Sequence, residues 1–563
     1  MTRRSFLRGA GAIAGLGALG GIAYGLDDLL SGSGGDAGGR RGTTTSLGGG
    51  HSHTTTSAAS TSTTTTVPPG EMPALPTAAW VREENARPGS LGWTHVGTSF
   101  QGQLEGFTNT TSAALGDEVT LYVSTVSSSF HVEIYRMGWY GGKGARVVAT
   151  TPSAAGVRQA DPVITPGTNM VECHWAPSLT FQVEKDWAPG NYLLRLVDSD
   201  GAAEWVPLTI RDDSSTAAIV IQNSVTSWQA YNHYGGYSLY GSVTGSGGNS
   251  LANRSRIVSF DRPYYNTWAA GAADWLGNEF PLVMLAERHG LDVAYWTDID
   301  LHSHPERLAA HRCVVSLGHD EYWSSTMRDG AQSALGRGVN WAFLGANACY
   351  RHVRFEASPT GADRRMVCYK VGTEDPLFGT NNAEVTANWP SGPDPRPESE
   401  LIGAQYQCYG GSGAMVVVDP TAFAFKGTGL AAGAALPGVI GSEFDSYVPA
   451  IPGPRDVQVL CHSPTGSVCG QGWSDMTWYT VPGGGGVFAS GTASFIGKLS
   501  DNPGDLPSYV LAAVPGVTAP LTQMTLNVLA VLGEGPGSRS FPSQTNWQRF
   551  YSPTAGGLSG SEF

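Results

Sequence analysis

No C-x-x-C pair occurs in the 563 residues, and the cysteines number only seven: Cys173, Cys313, Cys349, Cys368, Cys408, Cys461 and Cys469. That spacing argues against a cysteine-built structural zinc site. Charge is sparse and lopsided, with 33 basic against 47 acidic residues and a net charge of -14. There is no basic stripe, so a nucleic-acid partner is excluded. The acidic residues are scattered, as solubility requires, rather than gathered into a binding field. Long apolar runs are missing too. The longest candidate, from Ala10 to about Leu26, is Gly/Ala-rich and too short and weakly hydrophobic for a comfortable membrane span.

What stands at the start instead is "TRRSFLRG" followed by that apolar segment, the pattern of a twin-arginine export signal over residues 1–30. Such signals move proteins that have already folded, a route suited to a protein that loads a metal before crossing. No small-x-small cleavage site is visible, which leaves an uncleaved membrane anchor open. Residues 31–75 are Gly, Ser and Thr with hardly an apolar side chain, so they form a flexible stalk that cannot bury a core. The protein is therefore expected in the cell envelope or outside the cell. Disulfides form in that compartment. Cys461 and Cys469 flank a short turn-rich loop and are the expected pair, and the odd count leaves at least one thiol free. Cys313, inside an apolar run, reads as a small buried residue.

The chain is too long for one ordinary domain. Over residues 91–213, "EVTLYVST", "HVEIYRMGWY", "LTFQV", "NYLLRLVD" and "AEWVPLTI" alternate with period two between turn residues, which predicts an immunoglobulin-like β-sandwich. From residue 217 the grammar changes. "AAIVIQNS", "LDVAYWTD", "RCVVSLG", "VNWAFLG" and "GVFASG" are continuous apolar runs, as in strands buried on both faces. Helical patterns separate them: "FPLVMLAERHG" stops at a glycine, "SSTMRDGAQSALGRG" starts at a serine, and "TQMTLNVLAVLG" closes the series. This alternation predicts a parallel-sheet α/β domain of the amidotransferase-like (flavodoxin-like) type over 217–535. It is interrupted by a Gly/Pro-rich, partly β insertion at about 357–485 and followed by a tail at 536–563.

Ligands of open parallel sheets bind beyond the carboxyl ends of the strands. "SLGHDEYW" places His319, Asp320, Glu321 and Tyr322 there at once, and "IQNSVTSWQAYNHYGGYSLY" and "GANACYRHVRFE" follow two further strands. Three polar, aromatic loops thus converge. Groups at one strand end can simply cap the next helix; repetition at three ends favours a site. A cysteine nucleophile would sit in a G-x-C-x-G elbow, but "GANAC" puts Asn347 at the nucleophile position and Cys349 two residues late, and a serine elbow fails at the same place. Acid/base or metal chemistry from carboxylate, imidazole and phenol remains. A phenolate suits a hard ion such as ferric iron better than zinc.

The stretches "VEIYRMGWYGGKGAR", "SWQAYNHYGGYSLY", "VSFDRPY", "TDIDLH", "GHDEYW" and "FLGANACYRHVRFE" together resemble the N,N-dimethylformamidase large-subunit-like family over about residues 106–535. The resemblance implies hydrolysis of a small tertiary amide at a mononuclear iron held by two tyrosines and a glutamate. Tyr322 then stands for one tyrosine ligand. The second is open: "NEFPLVML" offers Phe280 where a tyrosine is sought, leaving Tyr350 or Tyr231, with Glu356 as the carboxylate. His319 or Glu321 would move the proton and Asn232 orient the amide. Against this secreted, iron-dependent amide hydrolase stands a second class, an inactive cell-envelope or glycan-binding module on the same fold, for which the abundant Trp and Tyr speak.

Overall fold

The computed structural model describes residues 70–95, 102–243, 251–266, 269–499 and 514–557. The export signal and all but the last residues of the stalk lie outside them. Among the described residues no helix is long and apolar enough to cross a membrane.

Most of the regular secondary structure among the described residues is β-sheet, arranged in several sheets. The first unit is a β-sandwich. A three-stranded sheet (Leu104–Thr108, Glu118–Thr125, Leu179–Gln182) faces a larger one led by Ser129–Met137, Gly190–Asp198 and Ala203–Arg211. Alternate side chains point inward: Val119, Leu121 and Val123 meet Val132, Ile134, Leu194, Leu196, Val206 and Leu208 in one buried cluster. A short helix, α1 (Ala79–Asn85), precedes it.

The second unit is built on a nine-stranded sheet. Its strands are β1 (Ile219–Asn223), β2 (Val293–Thr297), β3 (Cys313–Gly318), β4 (Asn340–Gly345), β5 (Gln405–Val416), β6 (Ala435–Ser446), β7 (Gln458–Ser467), β8 (Gly470–Thr480) and β9 (Gly486–Ala489), in the spatial order β2-β1-β3-β4-β9-β8-β7-β5-β6. The first five in that order are parallel; the rest pair antiparallel. The Gly/Pro-rich insertion therefore does not hang beside the sheet. It supplies four long strands that continue it.

The second unit's helices of seven or more residues, among the described residues, are α2 (Val225–Tyr231), α3 (Phe280–Arg288), α4 (Ser325–Gly336) and α5 (Thr518–Glu534). Period-two alternation explains why the parallel strands are apolar throughout. Ile219, Ile221, Val315, Leu317, Ala342 and Leu344 face one way, into the layer of α3 and α5. Val220, Val314, Trp341 and Phe343 face the other, against Met327, Ala331 and Leu335 of α4. The Ser324 hydroxyl accepts the Met327 N–H at 3.2 Å and caps α4. Helix α3 stops where Gly290 turns left-handed at φ 63.

One feature differs from expectation. The disulfide joins Cys408 to Cys469, and Cys461 is a buried free thiol. Cys461 lies within β7, buried in the core of the α3/α5 layer, while Cys469 sits at the tip of the β7–β8 hairpin beside β5. Nearness along the chain did not predict nearness in the sheet. The described part of the tail packs on the domain: Trp547 is buried among the α4-layer residues, and its indole N–H donates to the Arg455 carbonyl at 3.0 Å.

The two units are locked by a buried ion pair. Arg136 of the sandwich meets Glu287 of α3 through two contacts, at 2.6 and 2.9 Å, with both side chains fully buried.

Candidate active site

Strands β3 and β4 end together on glycines, Gly318 opposite Gly345. A Cβ on Gly345 would lie 1.6 Å from the Gly318 carbonyl oxygen, so only glycine permits this approach. Beyond them the loops part. The Asp320 carbonyl accepts Cys349 N–H at 2.8 Å, and the Glu321 carbonyl accepts the N–H groups of Tyr350 and Arg351 at 3.0 and 2.8 Å. Asn347 and Cys349 sit in the left-handed region at φ 57 and 54, a strain that these bonds hold in place.

Within "HDEY" alternate side chains diverge. Asp320 turns inward and accepts from Ser316 Oγ, Gln222 Nε2 and Trp323 Nε1 at 2.8–2.9 Å. Burial pushes its carboxyl up to about 6 against those bonds. His319 and Glu321 meet on the other side, with His319 Nε2 3.3 Å from Glu321 Oε2 and 2.9 Å from Glu443 Oε2 of β6.

Glu321 is the hub. Tyr240 donates to both its oxygens at 3.1 and 2.9 Å, Tyr231 donates at 3.0 Å, and Arg351 Nε at 3.1 Å. The Tyr322 hydroxyl donates to that of Tyr240 at 2.7 Å. The Tyr231 and Tyr240 rings stack with centroids 4.3 Å apart. Burial alone would raise the Glu321 carboxyl; His319 and Arg351 overcome it and hold the group well below the usual range. Burial likewise opposes charge on His319, but Glu443 and Glu321 raise it well above an ordinary histidine. The phenols of Tyr231, Tyr240 and Tyr322 are pushed up, first by burial and then by Glu321.

Two more groups close the site. Lys370, left-handed at φ 60, brings Nζ to 3.1 Å from the centre of the Tyr240 ring and to no hydrogen-bond partner among the described residues. Burial and Arg351 press its ammonium well below the usual range. Asn347 Nδ2 donates to Glu443 at 2.8 Å, while its buried Oδ1 has no partner among the described residues.

Of the residues singled out from sequence, the structure brings together His319, Glu321, Tyr322 and Tyr231. Three lie elsewhere. Glu356 is exposed, five residues beyond Arg351 on the same strand, about 17 Å at the rise of a strand. Tyr350 lies one contact outside the cluster: the Arg351 guanidinium sits 4.9 Å from its ring centre, its hydroxyl accepts Asn388 Nδ2 at 3.2 Å while Asn388 Oδ1 accepts from Arg351, and its ring packs on Tyr406. Asn232 spends its amide locally, donating to Gln229 and the Pro263 carbonyl and accepting from the backbone of Tyr234 and Tyr265. Tyr240, Asn347, Lys370, Arg351 and Glu443 were not singled out as site residues. Tyr240 ends the very loop, "YGGYSLY", that the sheet argument brings to this edge. Glu443 has no local signal, because it arrives from the insertion.

Among the described residues no three His, Cys, Asp or Glu side chains are grouped to hold a metal. The donors gathered here are of another kind: two hydrogen-bonded phenols and a carboxylate, hard oxygens that fit a ferric ion.

Fold and site together define a multidomain, β-rich protein with a buried phenol–carboxylate–imidazole cluster at the carboxyl edge of parallel strands. The chain belongs to the N,N-dimethylformamidase beta subunit-like, C-terminal family, whose family model matches residues 131–506. No curated protein matches it. Among solved structures, murine CEACAM1b aligns at 11% identity and a TM-score of 0.11, over 22% of this chain and 63% of its own. A Paenibacillus sp. cycloisomaltooligosaccharide glucanotransferase complexed with cycloisomaltoheptaose aligns at 10% identity and a TM-score of 0.14, over 47% and 34%. The chain thus spans less than two thirds of either structure, and at these values neither similarity bears on fold or activity.

Proposed function

We propose that the protein is an amide hydrolase for a small amide, with ferric iron held by Tyr322, Tyr240 and Glu321. The observation that carries this is the chain of hydroxyl and carboxylate oxygens from Tyr322 through Tyr240 to Glu321, buried at a strand edge beside an imidazole. The family supports the amide-hydrolase kind. The strand order of the parallel half, with the second strand outside the first, supports the flavodoxin-like, amidotransferase-like type.

Bound iron would supply Lewis acidity toward the amide carbonyl. Everything else is work for side chains. Arg351 and His319 keep Glu321 ionised, and Tyr231 fixes the orientation of its second oxygen. His319, charged between two carboxylates, holds the proton that the departing amine nitrogen needs, and Glu443 is placed to take a proton from water and return it to the imidazole. Asn347, rather than Asn232, offers an amide oxygen that has no partner among the described residues and can orient a substrate. Glu321, Tyr322, Asn347 and Lys370 are all buried, so the site suits a small molecule and not a polymer chain. The export signal and stalk support action outside the cytoplasm.

Incubation with N,N-dimethylformamide and other small amides, with amine release as readout, tests this. Turnover lost on stripping iron and restored by adding it back supports the proposal. Amide turnover indifferent to iron, or none with any small amide, overturns it.

A further inference from the structure

A cleft of about 320 Å3 lies at the opposite end of the parallel strands from the cluster just described. Its floor includes Val293 and Ala294, the first residues of β2, which is an edge strand of the sheet. One wall is α1, contributing Trp80, Glu83 and Arg87; another is the sandwich loop carrying Lys185, Asp186 and Trp187. The volume is at the lower end of what small-ligand sites enclose.

Both indoles are fixed before any ligand arrives. Trp187 is stacked against Phe181 and Tyr192, with centroids 6.2 and 5.8 Å away and rings within 28° of parallel. Trp80 has the buried Arg136 guanidinium 5.9 Å from its ring centre. Each is only half-buried, and neither indole N–H has a hydrogen-bond partner among the described residues. Glu83, Asp186 and Lys185 likewise make no ion pair or hydrogen bond among the described residues. The rim thus offers free donors and free acceptors of both charges beside two rigid aromatic walls.

That mixture narrows the ligand. An anion would be repelled by the four carboxylates of the lining, Glu83, Glu84, Asp186 and Asp212, a small cation would leave Lys185 and both indole N–H groups without an acceptor, and a purely apolar molecule would desolvate all of them without return. A neutral molecule dense in hydroxyls, with apolar C–H faces, satisfies every group at once. We infer that this cleft is a carbohydrate-binding subsite for a mono- or disaccharide, separate from the hydrolytic cluster.

Calorimetric titration of the full chain with glucose, N-acetylglucosamine and their β-1,4-linked disaccharides tests the inference, with dimethylammonium chloride as a cationic probe. Saturable saccharide binding is expected, weakened roughly tenfold or more by Trp80→Ala and clearly by Asp186→Ala, and unchanged by Tyr322→Phe. Should Trp80→Ala fail to fold, the exposed Glu83→Ala and Asp186→Ala decide alone. No binding by any of these saccharides, binding that survives the cleft substitutions, binding lost only with Tyr322→Phe, or binding of dimethylammonium alone would each overturn it.

Discussion

Replacing Tyr240 by phenylalanine removes one oxygen and keeps the ring that stacks on Tyr231 and lies under Lys370. That oxygen donates to the ionised Glu321 and accepts from Tyr322. A hydrogen bond to a charged group contributes about 1.5–3 kcal/mol and a neutral one about 1 kcal/mol. Tyr240→Phe loses both, so metal-free protein should be destabilised by about 2.5–4 kcal/mol. Tyr322→Phe loses only the neutral bond and should cost about 1 kcal/mol. The two losses should not add. Once Tyr240 lacks its oxygen, the fully buried Tyr322 hydroxyl has no partner among the described residues, so removing it costs nothing further. Urea unfolding of the two single variants and the double variant, at unchanged m-value, measures a coupling of about 1 kcal/mol. Equal costs for the two single variants, or strict additivity, would refute the hydrogen-bonded chain on which the site reading stands.

Glu398 is buried, and desolvation pushes its carboxyl up to about 8 despite the N–H of Tyr406. The folded state therefore holds a proton that the unfolded chain releases near 4.5, so the contribution of this group to stability should fall by about 1.4 kcal/mol per pH unit as pH rises from 4.5 to about 8; Glu398→Gln should make the overall slope shallower by that amount, and an unchanged slope in thermal or urea unfolding would contradict the assignment. Breaking the Cys408–Cys469 bridge, which spans 61 residues, with Cys469→Ser should cost about 4 kcal/mol by chain entropy, and peptide mapping of the unreduced protein should recover 408 with 469 and never 461 with 469. Arg136→Met leaves Glu287 charged and buried between the sandwich and α3, so it should destabilise by about 3–5 kcal/mol; a loss below 1 kcal/mol would mean that water reaches the pair.

The parallel strands could be read from sequence because a strand buried on both faces has to be apolar at every position, and helix α4 because Ser324 and the Met327–Ala331–Leu335 stripe are local signals. The edge on which His319, Glu321 and Tyr322 stand followed from the position of the glycine that ends β3. What was hidden was set by distance in the chain. Glu443 reaches His319 only because the insertion extends the sheet, and Cys469 finds Cys408 across 61 residues. Tyr350 and Glu356 misled for a local reason. The first spends its hydroxyl on Asn388 under the Arg351 guanidinium, and the second has already run out to the surface. Asn232 and Asn347 look alike as letters, and only their neighbours distinguish them: the first is satisfied by Gln229 and backbone, the second keeps an oxygen without a partner among the described residues.

The central claim is the oxygen-rich iron site of Tyr322, Tyr240 and Glu321. Elemental analysis of protein purified without chelators, read together with its visible spectrum, tests it most directly. The account predicts one iron per chain and a tyrosinate-to-iron absorption band, both lost in Tyr240→Phe and Tyr322→Phe while the fold survives. Colourless, iron-free protein that hydrolyses amides, or full iron content retained by both variants, would contradict it.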